Sequence, residues 1–492
     1  MSDITGFEKS AAAAAVMIKN AQRVLVIAHI DADGITAASI ASLALDREGI
    51  THQVRFAKKL DPSELQAILA EDYELLWFVD LGSGIFSQMN AKCIVADHHR
   101  PDSLVKERHV NPHLFGIDGS AEVSGAGVAY AIAVAMNEQN RDLSVLAIVG
   151  AVGDFQESAH SKLVGYNHQI VMDACSYAGV KAEIDIRTFG KQTKPLPILF
   201  QYATDPKLID YLADQADDRE ACIKFFTDLG IDIDDTVYWP QLSRQEKATI
   251  VSALVNRMLD KGRGLSHVRK LLGEVYTLPA DIIGTGDDWL QKLPAEMRNS
   301  ARVLFDAKEF ATLLNACGRH ELPEVGLAVG KGDRNEQLLR ALNQQNGHRE
   351  SLKCAIELVK LGKENGIKEE VGGQSLRNLR FFHGQKKIKD TILGIITGML
   401  LNSPETQCGD KPLIAFADAS DGSQMLKVSG RATKEMVDRG LDLSLAMSAS
   451  AQACGGSGGG HNIAAGASVP YGREGEFLLQ LDQLIGRQLS GQ

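Results

Sequence analysis

Short apolar runs and longer amphipathic stretches alternate through the first third of the chain. Residues 24–28, 53–57, 75–79 and 93–96 are apolar and strand-like. Residues 35–47 read as a helix, and two Ala/Val-rich helices are expected over 125–137 and 143–152. The spacing also predicts a helix over 61–71, with Asp61 as its cap and Pro62 in its first turn. Strands this apolar are expected to be buried on both faces. Their alternation with helices means an α/β fold, a parallel sheet covered by helices.

The pattern changes over residues 160–366, where charge and helix-forming residues increase and strand signals thin out. Amphipathic helices are expected over 206–229, 245–260 and 294–316, with no internal repeat. From residue 372 the mixed pattern returns, with strands over 413–417 and 425–428, a glycine-saturated stretch over 454–466 and a closing helix over 474–489. Three parts follow: a first α/β domain over 1–165, a mainly helical insertion over 166–370, and a smaller α/β domain over 371–492.

Composition agrees with this division. A chain of 492 residues is too long for one core. Its apolar content of 44% and charged content of 23% are ordinary for a soluble globular protein. No apolar run approaches the roughly 20 residues of a membrane span. The apolar stretch at 11–18 follows Glu8 and Lys9 and precedes no cleavage signal, so an N-terminal helix is expected rather than a signal peptide. Cys93, Cys175, Cys222, Cys317, Cys354, Cys408 and Cys454 are scattered singly, as in a reducing cytoplasm, and exclude a cysteine-built zinc site. A net charge of −11 confines any nucleic-acid contact to a local basic patch.

Candidate chemistry gathers at the predicted strand ends. The first strand runs into His29-Ile30-Asp31-Ala32-Asp33-Gly34. Open α/β sheets bind ligands at the carboxyl ends of their strands. Positions 29, 31 and 33 would share one face of an extended backbone, although Asp-Gly is also a common turn dipeptide. The next apolar run ends in Asp80, the third in Asp97-His98-His99, and a fourth apolar stretch in Gly153-Asp154. Singly, each acid is a plausible cap or turn residue. Together, carboxylates and imidazoles suit manganese- or magnesium-like cations. Two such cations, about 3.5–4 Å apart, clamp a phosphate and activate a water.

In this order and spacing, the four segments resemble the motifs of the DHH phosphoesterase superfamily. The C-terminal part is similar to its associated DHHA1 domain through Ser429-Gly430-Arg431 and Gly458-Gly459-Gly460-His461-Asn462-Ile463-Ala464-Ala465-Gly466. There the glycines let backbone N–H groups approach an anion as a nest does, and Arg431 and His461 can bind phosphate oxygens.

The resemblance implies a parallel-sheet DHH catalytic domain, a helical insertion and a smaller DHHA1 substrate-binding domain, with the active-site cleft between them. It implies two divalent cations, Mn²⁺ or Mg²⁺. His29, Asp31 and Asp80 would hold one, and Asp33, Asp80, His98 and Asp154 the other, with Asp80 bridging. Asp97 would orient a histidine, and His99 would contact the phosphate or protonate the leaving oxygen. Ser429, Arg431, Gly458, Gly459, Gly460, His461 and Asn462 would bind substrate.

An insertion with no further barrel after the C-terminal domain resembles the archaeal RecJ-like single-strand nucleases, including the GINS-associated nuclease. Expected partners are therefore single-stranded DNA or RNA and GINS or another replisome subunit, with no membrane. Arg377, Arg380, Lys386, Lys387 and Lys389 beside Phe381, Phe382 and His383 form either a strand-binding patch or a solvated basic face. Alternatives are a small-oligonucleotide or cyclic-dinucleotide phosphodiesterase, and a replisome scaffold with the same fold.

Overall fold

The computed structural model describes residues 2–204, 206–212, 218–234, 236–282, 284–362, 364–401, 403, 410–420 and 423–490. The chain forms two compact units, Met1–Gln345 and Asn346–Gln492. The division falls within the helix Glu336–Lys360. Cys408 and the stretch 213–217 of the expected 206–229 helix lie outside the described residues.

In the first unit, β1 (Arg23–His29), β2 (Thr51–Ala57), β3 (Leu75–Val79), β4 (Cys93–Ala96) and β5 (His109–Val110) form one parallel sheet, in the order β2-β1-β3-β4-β5. Every side chain of β3 and β4 is buried, which explains their unbroken apolar runs. Alternate residues feed opposite cores, as strand periodicity requires. Val24, Val26, Trp77, Val79, Ile94 and Ala96 face the helices α1 (Ile4–Lys19), α2 (Ala32–Arg47), α4 (Gly125–Met136) and α5 (Ser144–Gly153). Leu25, Ile27, Leu76, Phe78, Cys93 and Val95 face Leu65 and Ile68 of α3 (Pro62–Leu69).

Helix α2 is buried on nearly all sides. Its alanines permit close helix packing, and its polar groups are satisfied locally. Thr36 Oγ1 donates to the Ala32 carbonyl (2.8 Å), and Ser39 Oγ to that of Ile35 (2.8 Å).

The middle of the chain is not purely helical. β6 (Lys181–Ile186) pairs antiparallel with β7 (Leu272–Thr277). The strand KAEIDI was hidden because Lys, Glu and Asp are poor strand formers and only its last residue is buried. Between these strands, Ile186, Phe200, Phe225, Phe226, Trp239 and Leu254 make a separate small core. After β7 the chain returns to the main core through Phe310, Leu313, Leu314, Val325 and Val329. The helix expected over 294–316 breaks into Ala295–Ala301, a 3₁₀ turn and Ala307–Arg319. Asp306 caps the last by accepting from the Lys308 and Glu309 N–H groups.

The second unit carries a small pair, β8 (Glu370–Val371) and β9 (Gln374–Ser375), and a mixed five-stranded sheet. Its strands are β10 (Arg380–His383), β11 (Leu413–Asp418), β12 (Met425–Arg431), β13 (Ser457–Gly460) and β14 (Ala464–Pro470), ordered β10-β11-β12-β14-β13. Phe381, Phe416 and Val428 face the helices Leu443–Ala453 and Glu474–Ser490; Phe382, Leu413 and Ala415 face Asp390–Leu401. No helix among the described residues is long and apolar enough to cross a membrane.

Candidate functional site

The parallel register puts three strand ends in one row. Ala28 pairs with Val79, and Val79 with Ala96. The residues that follow, His29, Asp80 and Asp97, therefore stand side by side at the carboxyl edge of β1, β3 and β4. The Asp80 N–H donates to the Ala96 carbonyl (2.9 Å). Asp80 holds a left-handed backbone, φ 58°, which a non-glycine residue adopts only at a cost.

Asp31 and Asp33 reach this row differently from the extended arrangement expected. The backbone turns helical at Ala32. Asp31 caps α2, accepting from the Gly34 N–H (3.0 Å), and Asp33 lies in its first turn. Buried Asp33 accepts from the Gly125 N–H (2.7 Å) and the Ala126 N–H (2.9 Å), at the start of α4, where the helix dipole favours a carboxylate. A Cβ on Gly125 would fall 2.4 Å from Asp80 Oδ1, so glycine is what lets α4 approach. Asp154 follows α5 and accepts from Gln156 Nε2 (3.0 Å).

The two histidines after Asp97 are held by their Nδ1 atoms. His98 Nδ1 donates to the Gly119 carbonyl (2.6 Å), and His99 Nδ1 to Asp97 Oδ1 (2.8 Å). Since the Gly119 carbonyl only accepts, Nδ1 carries a proton, so in the neutral ring the lone pair lies on His98 Nε2. That atom lies 3.3 Å from Asp80 Oδ1 and 3.7 Å from Asp33 Oδ2. His29 Nδ1 lies 3.0 Å from Asp31 Oδ2 and 3.7 Å from Asp80 Oδ2, aligned for a hydrogen bond with neither. Ligand-type atoms within 4.8 Å of one another form three sets: His29, Asp31, Asp80; Asp33, His98, Asp154; and Asp80, Asp97, His98, His99.

Electrostatics separate the acids. Burial raises Asp33, and the Asp80 charge raises it further. Burial likewise lifts Asp154 to about 6. Burial would raise Asp80 too, but the His29 and His98 imidazoles hold it below the carboxylate range. For Asp97, the hydrogen bond from His99 overcomes burial and brings it down to about 2. His99 rises to about 9 through Asp97. His29 reaches about 11, burial being outweighed by Asp31 and Asp80. Both carboxylate oxygens of Asp80 are buried without a hydrogen-bond partner. Native proteins rarely leave such atoms orphaned, and imidazole with carboxylate is the donor chemistry of Mn²⁺ or Mg²⁺. The residues present therefore fit divalent cations.

Sequence reading did not single out the supporting residues. The Ser83 N–H donates to Asp97 Oδ2 (2.9 Å). Asn111 Nδ2 donates to Ser83 Oγ and to the His99 carbonyl, both at 2.8 Å. Gln156 Nε2 also donates to the Gly119 carbonyl (2.9 Å). From far along the chain, Asn315 Oδ1 accepts from the Ala32 N–H (3.0 Å). Only the Asn111-Pro112 dipeptide, ending a short strand, offered a sequence signal.

In the second unit, Ser429 and Arg431 lie on β12. Arg431 Nη1 donates to Ser429 Oγ (3.1 Å) and the Gly430 carbonyl (2.8 Å), and burial lowers its guanidinium from the ordinary value. Gly458, Gly459 and Gly460 form the edge strand β13 rather than a curled nest, because they pair in register with Ala467, Gly466 and Ala465. Ser429 pairs with Gly466 and so shares a row with Gly459. His461 and Asn462 form the exposed turn into β14, where the His461 N–H donates to the Ala464 carbonyl (2.8 Å). Phe381 and Phe382 are buried on opposite faces of the sheet, and Arg380 is ion-paired with Glu369 and Asp410, so these three do not form an open stacking patch.

A parallel α/β domain with a carboxylate–histidine row at its strand ends, and a separate mixed-sheet domain carrying a Ser-Gly-Arg strand and a glycine strand, define a RecJ-like fold. The DHH family N-terminal domain matches residues 23–151, the DHH-CID domain 188–272 and the DHHA1 domain 378–487. The chain belongs to the DHH family. It is 31% identical over 477 residues to an uncharacterized protein of Methanocaldococcus jannaschii, covering 94% of this chain and 93% of that one.

Solved structures agree on the fold. Exonuclease RecJ bound to manganese matches with TM-score 0.53 at 16% identity, over 98% of this chain and 94% of that one. CDC45 from Entamoeba histolytica matches with TM-score 0.61 at 13% identity, over 98% and 99%. RecJ from Thermus thermophilus in complex with Mn²⁺ matches with TM-score 0.53 at 16% identity over 98% of this chain, which spans 55% of the RecJ chain.

Proposed function

We propose that the protein is a metal-dependent exonuclease that hydrolyses phosphodiester bonds of single-stranded DNA or RNA, in DNA replication or repair. The observation that carries this reading is Asp80. Its two orphaned, buried oxygens stand between His29 and Asp31 on one side and His98 and Asp33 on the other. His29, Asp31 and Asp80 would hold one cation, and Asp33, Asp80, His98 and Asp154 a second. Manganese or magnesium bound there would neutralise the phosphodiester and lower the pKa of a water.

The chain's own groups do the rest. The Gly119 carbonyl fixes the His98 tautomer, so that Nε2 is free to ligate. Asp97 orients His99 and raises the affinity of its ring for a proton. His99 is 58% exposed and has a second nitrogen free to meet a phosphate oxygen or give a proton to the leaving oxygen. Ser429, Arg431, Gly458, Gly459, Gly460, His461 and Asn462 would grip a substrate phosphate.

Likeness to CDC45 supports a second reading, a replisome scaffold that binds GINS or another subunit. The complete carboxylate and histidine set favours hydrolysis. End-labelled single-stranded DNA, single-stranded RNA, duplex, dinucleotide and cyclic dinucleotide, each with Mn²⁺ or Mg²⁺, separate the readings. The expected result is stepwise digestion of single strands that Asp80→Ala abolishes. Cleavage of dinucleotides alone would move the function to small-oligonucleotide turnover. No cleavage of any substrate would leave the scaffold.

A further inference from the structure

Phe155 follows Asp154 directly, yet its side chain is 67% exposed. Its backbone is left-handed, φ 59°, a conformation that costs an aromatic residue energy and that glycine or asparagine would adopt more cheaply. Neighbouring bonds fix that conformation. The Phe155 N–H donates to the Val152 carbonyl (3.1 Å), and the Phe155 carbonyl accepts from Ser158 (3.0 Å). On either side, Asp154 belongs to the acid–histidine cluster, and buried Gln156 bonds to Asp154 and to the Gly119 carbonyl that holds His98.

A large aromatic ring is thus held at the surface, one residue from the cluster, against both local strain and the tendency of apolar surface to leave water. Strain retained beside a functional cluster points to a role in what binds there. A flat, rigid, exposed ring matches the face of a nucleobase, which every nucleotide offers whatever its sequence.

The geometry points to Phe155 as a base-stacking residue, which holds a nucleobase of the strand whose phosphate lies at the neighbouring cluster. This rests on the single-strand reading above and deepens it. Phe155 contacts substrate through π-stacking and takes no part in bond breaking. It predicts a preference for substrates with intact bases near the scissile bond, without preference among the four bases.

The test compares wild type, Phe155→Ala, Phe155→Gly and Phe155→Trp on two end-labelled oligonucleotides of equal length. One is fully based, and the other is abasic over the residues flanking the cleaved bond. Phe155→Gly guards against misfolding, because glycine accepts the left-handed backbone without strain. On the based strand, the alanine and glycine variants should raise KM by roughly 5- to 150-fold, the range for loss of one stacked base, with the change in KM rather than kcat. Phe155→Trp should restore KM. On the abasic strand, all four proteins should share one raised KM.

Equal KM for wild type and Phe155→Gly on the based strand would overturn the proposal. So would an equal loss on both strands. Fluorescence anisotropy of a labelled single strand separates this idea from the hydrolytic reading. If wild type cleaves nothing but binds the strand, hydrolysis falls, and weaker binding by Phe155→Gly still supports stacking, whereas an equal Kd refutes it. A wild type that neither cleaves nor binds overturns both.

Discussion

Asparagine in place of Asp97 keeps its shape and removes its charge. Four donors converge on this carboxylate: the Ser83 N–H at 2.9 Å on Oδ2, and the His98 N–H (2.8 Å), the His99 N–H (3.2 Å) and His99 Nδ1 (2.8 Å) on Oδ1. A carboxylate offers about four acceptor sites, two on each oxygen, so Oδ1 is fully engaged and Oδ2 holds one bond. The best the amide can do is put its nitrogen at the Oδ2 position, which sets its NH₂ against the Ser83 N–H. One buried donor then goes unsatisfied, at a cost of about 1–3 kcal/mol. Urea unfolding of metal-free Asp97→Asn should show that loss. Turnover on single-stranded DNA should fall about 10- to 100-fold, the usual effect of losing a group that orients a catalytic or ligating side chain. Mn²⁺ binding followed by calorimetry should persist. A variant of wild-type stability that no longer binds Mn²⁺ would refute the reasoning, because Asp97 would then be a ligand rather than a positioning group.

Gly125→Ala puts a Cβ 2.4 Å from Asp80 Oδ1 and 2.5 Å from Asp80 Cβ, so helix or carboxylate must move; we expect about 1–3 kcal/mol of destabilisation in thermal melts and a drop in turnover well beyond what that loss explains. Buried Glu309 is raised to about 7, first by burial and then by the Asp306 charge, while the Gln192 N–H (2.9 Å) and Thr193 hydroxyl (2.6 Å) bond to it. Because the folded state holds this proton more tightly than the unfolded chain, stability falls as pH rises from the unfolded value of 4.5 through 7, by about 3 kcal/mol in all. Glu309→Gln keeps both bonds if the threonine hydroxyl turns, so its unfolding free energy should decline less between pH 5 and 8; identical slopes would contradict the assignment. Mn²⁺ at about 100 times its Kd should stabilise the wild type by about 2.7 kcal/mol over the EDTA-treated protein, and Asp80→Ala should lose that shift in a thermal scan.

The parts of the fold that were legible are those where one local signal decides the structure. Strands β3 and β4 have the predicted bounds because each is an apolar run buried on both faces and closed by an acid. Parallel pairing then brings His29, Asp80 and Asp97 level without further information. What stayed hidden depends on partners distant in sequence. β6 is polar and gains strand geometry only by pairing with β7, about 90 residues on. Glycines 458–460 read as an anion-binding nest until β14 supplies a ladder. Phe381 and Phe382 read as part of either a strand-binding patch or a solvated basic face, because sequence does not show that helices cover both sides of β10. Ser83, Asn111 and Gln156 are ordinary loop polar residues until the fold sets them against Asp97, His99 and Asp154.

Three buried aspartates in the cluster differ most in how far the protein already satisfies them. Asp97 receives four hydrogen bonds, Asp33 receives two from the start of α4, and Asp80 receives none. A buried carboxylate without donors is costly, and the nearby imidazoles relieve that cost only in part. The sequence motif treats the three acids alike, since each ends or follows a strand. Their hydrogen-bond loads set them apart: Asp97 is held by four donors, Asp33 is anchored to a helix by two, and both oxygens of Asp80 lack a donor. Asp80 lies between Asp97 and His29 in the row of strand ends, so the acid without a donor is also the middle one of the row. That arrangement follows from strand order β1-β3-β4 and would be lost if β3 stood at the sheet edge.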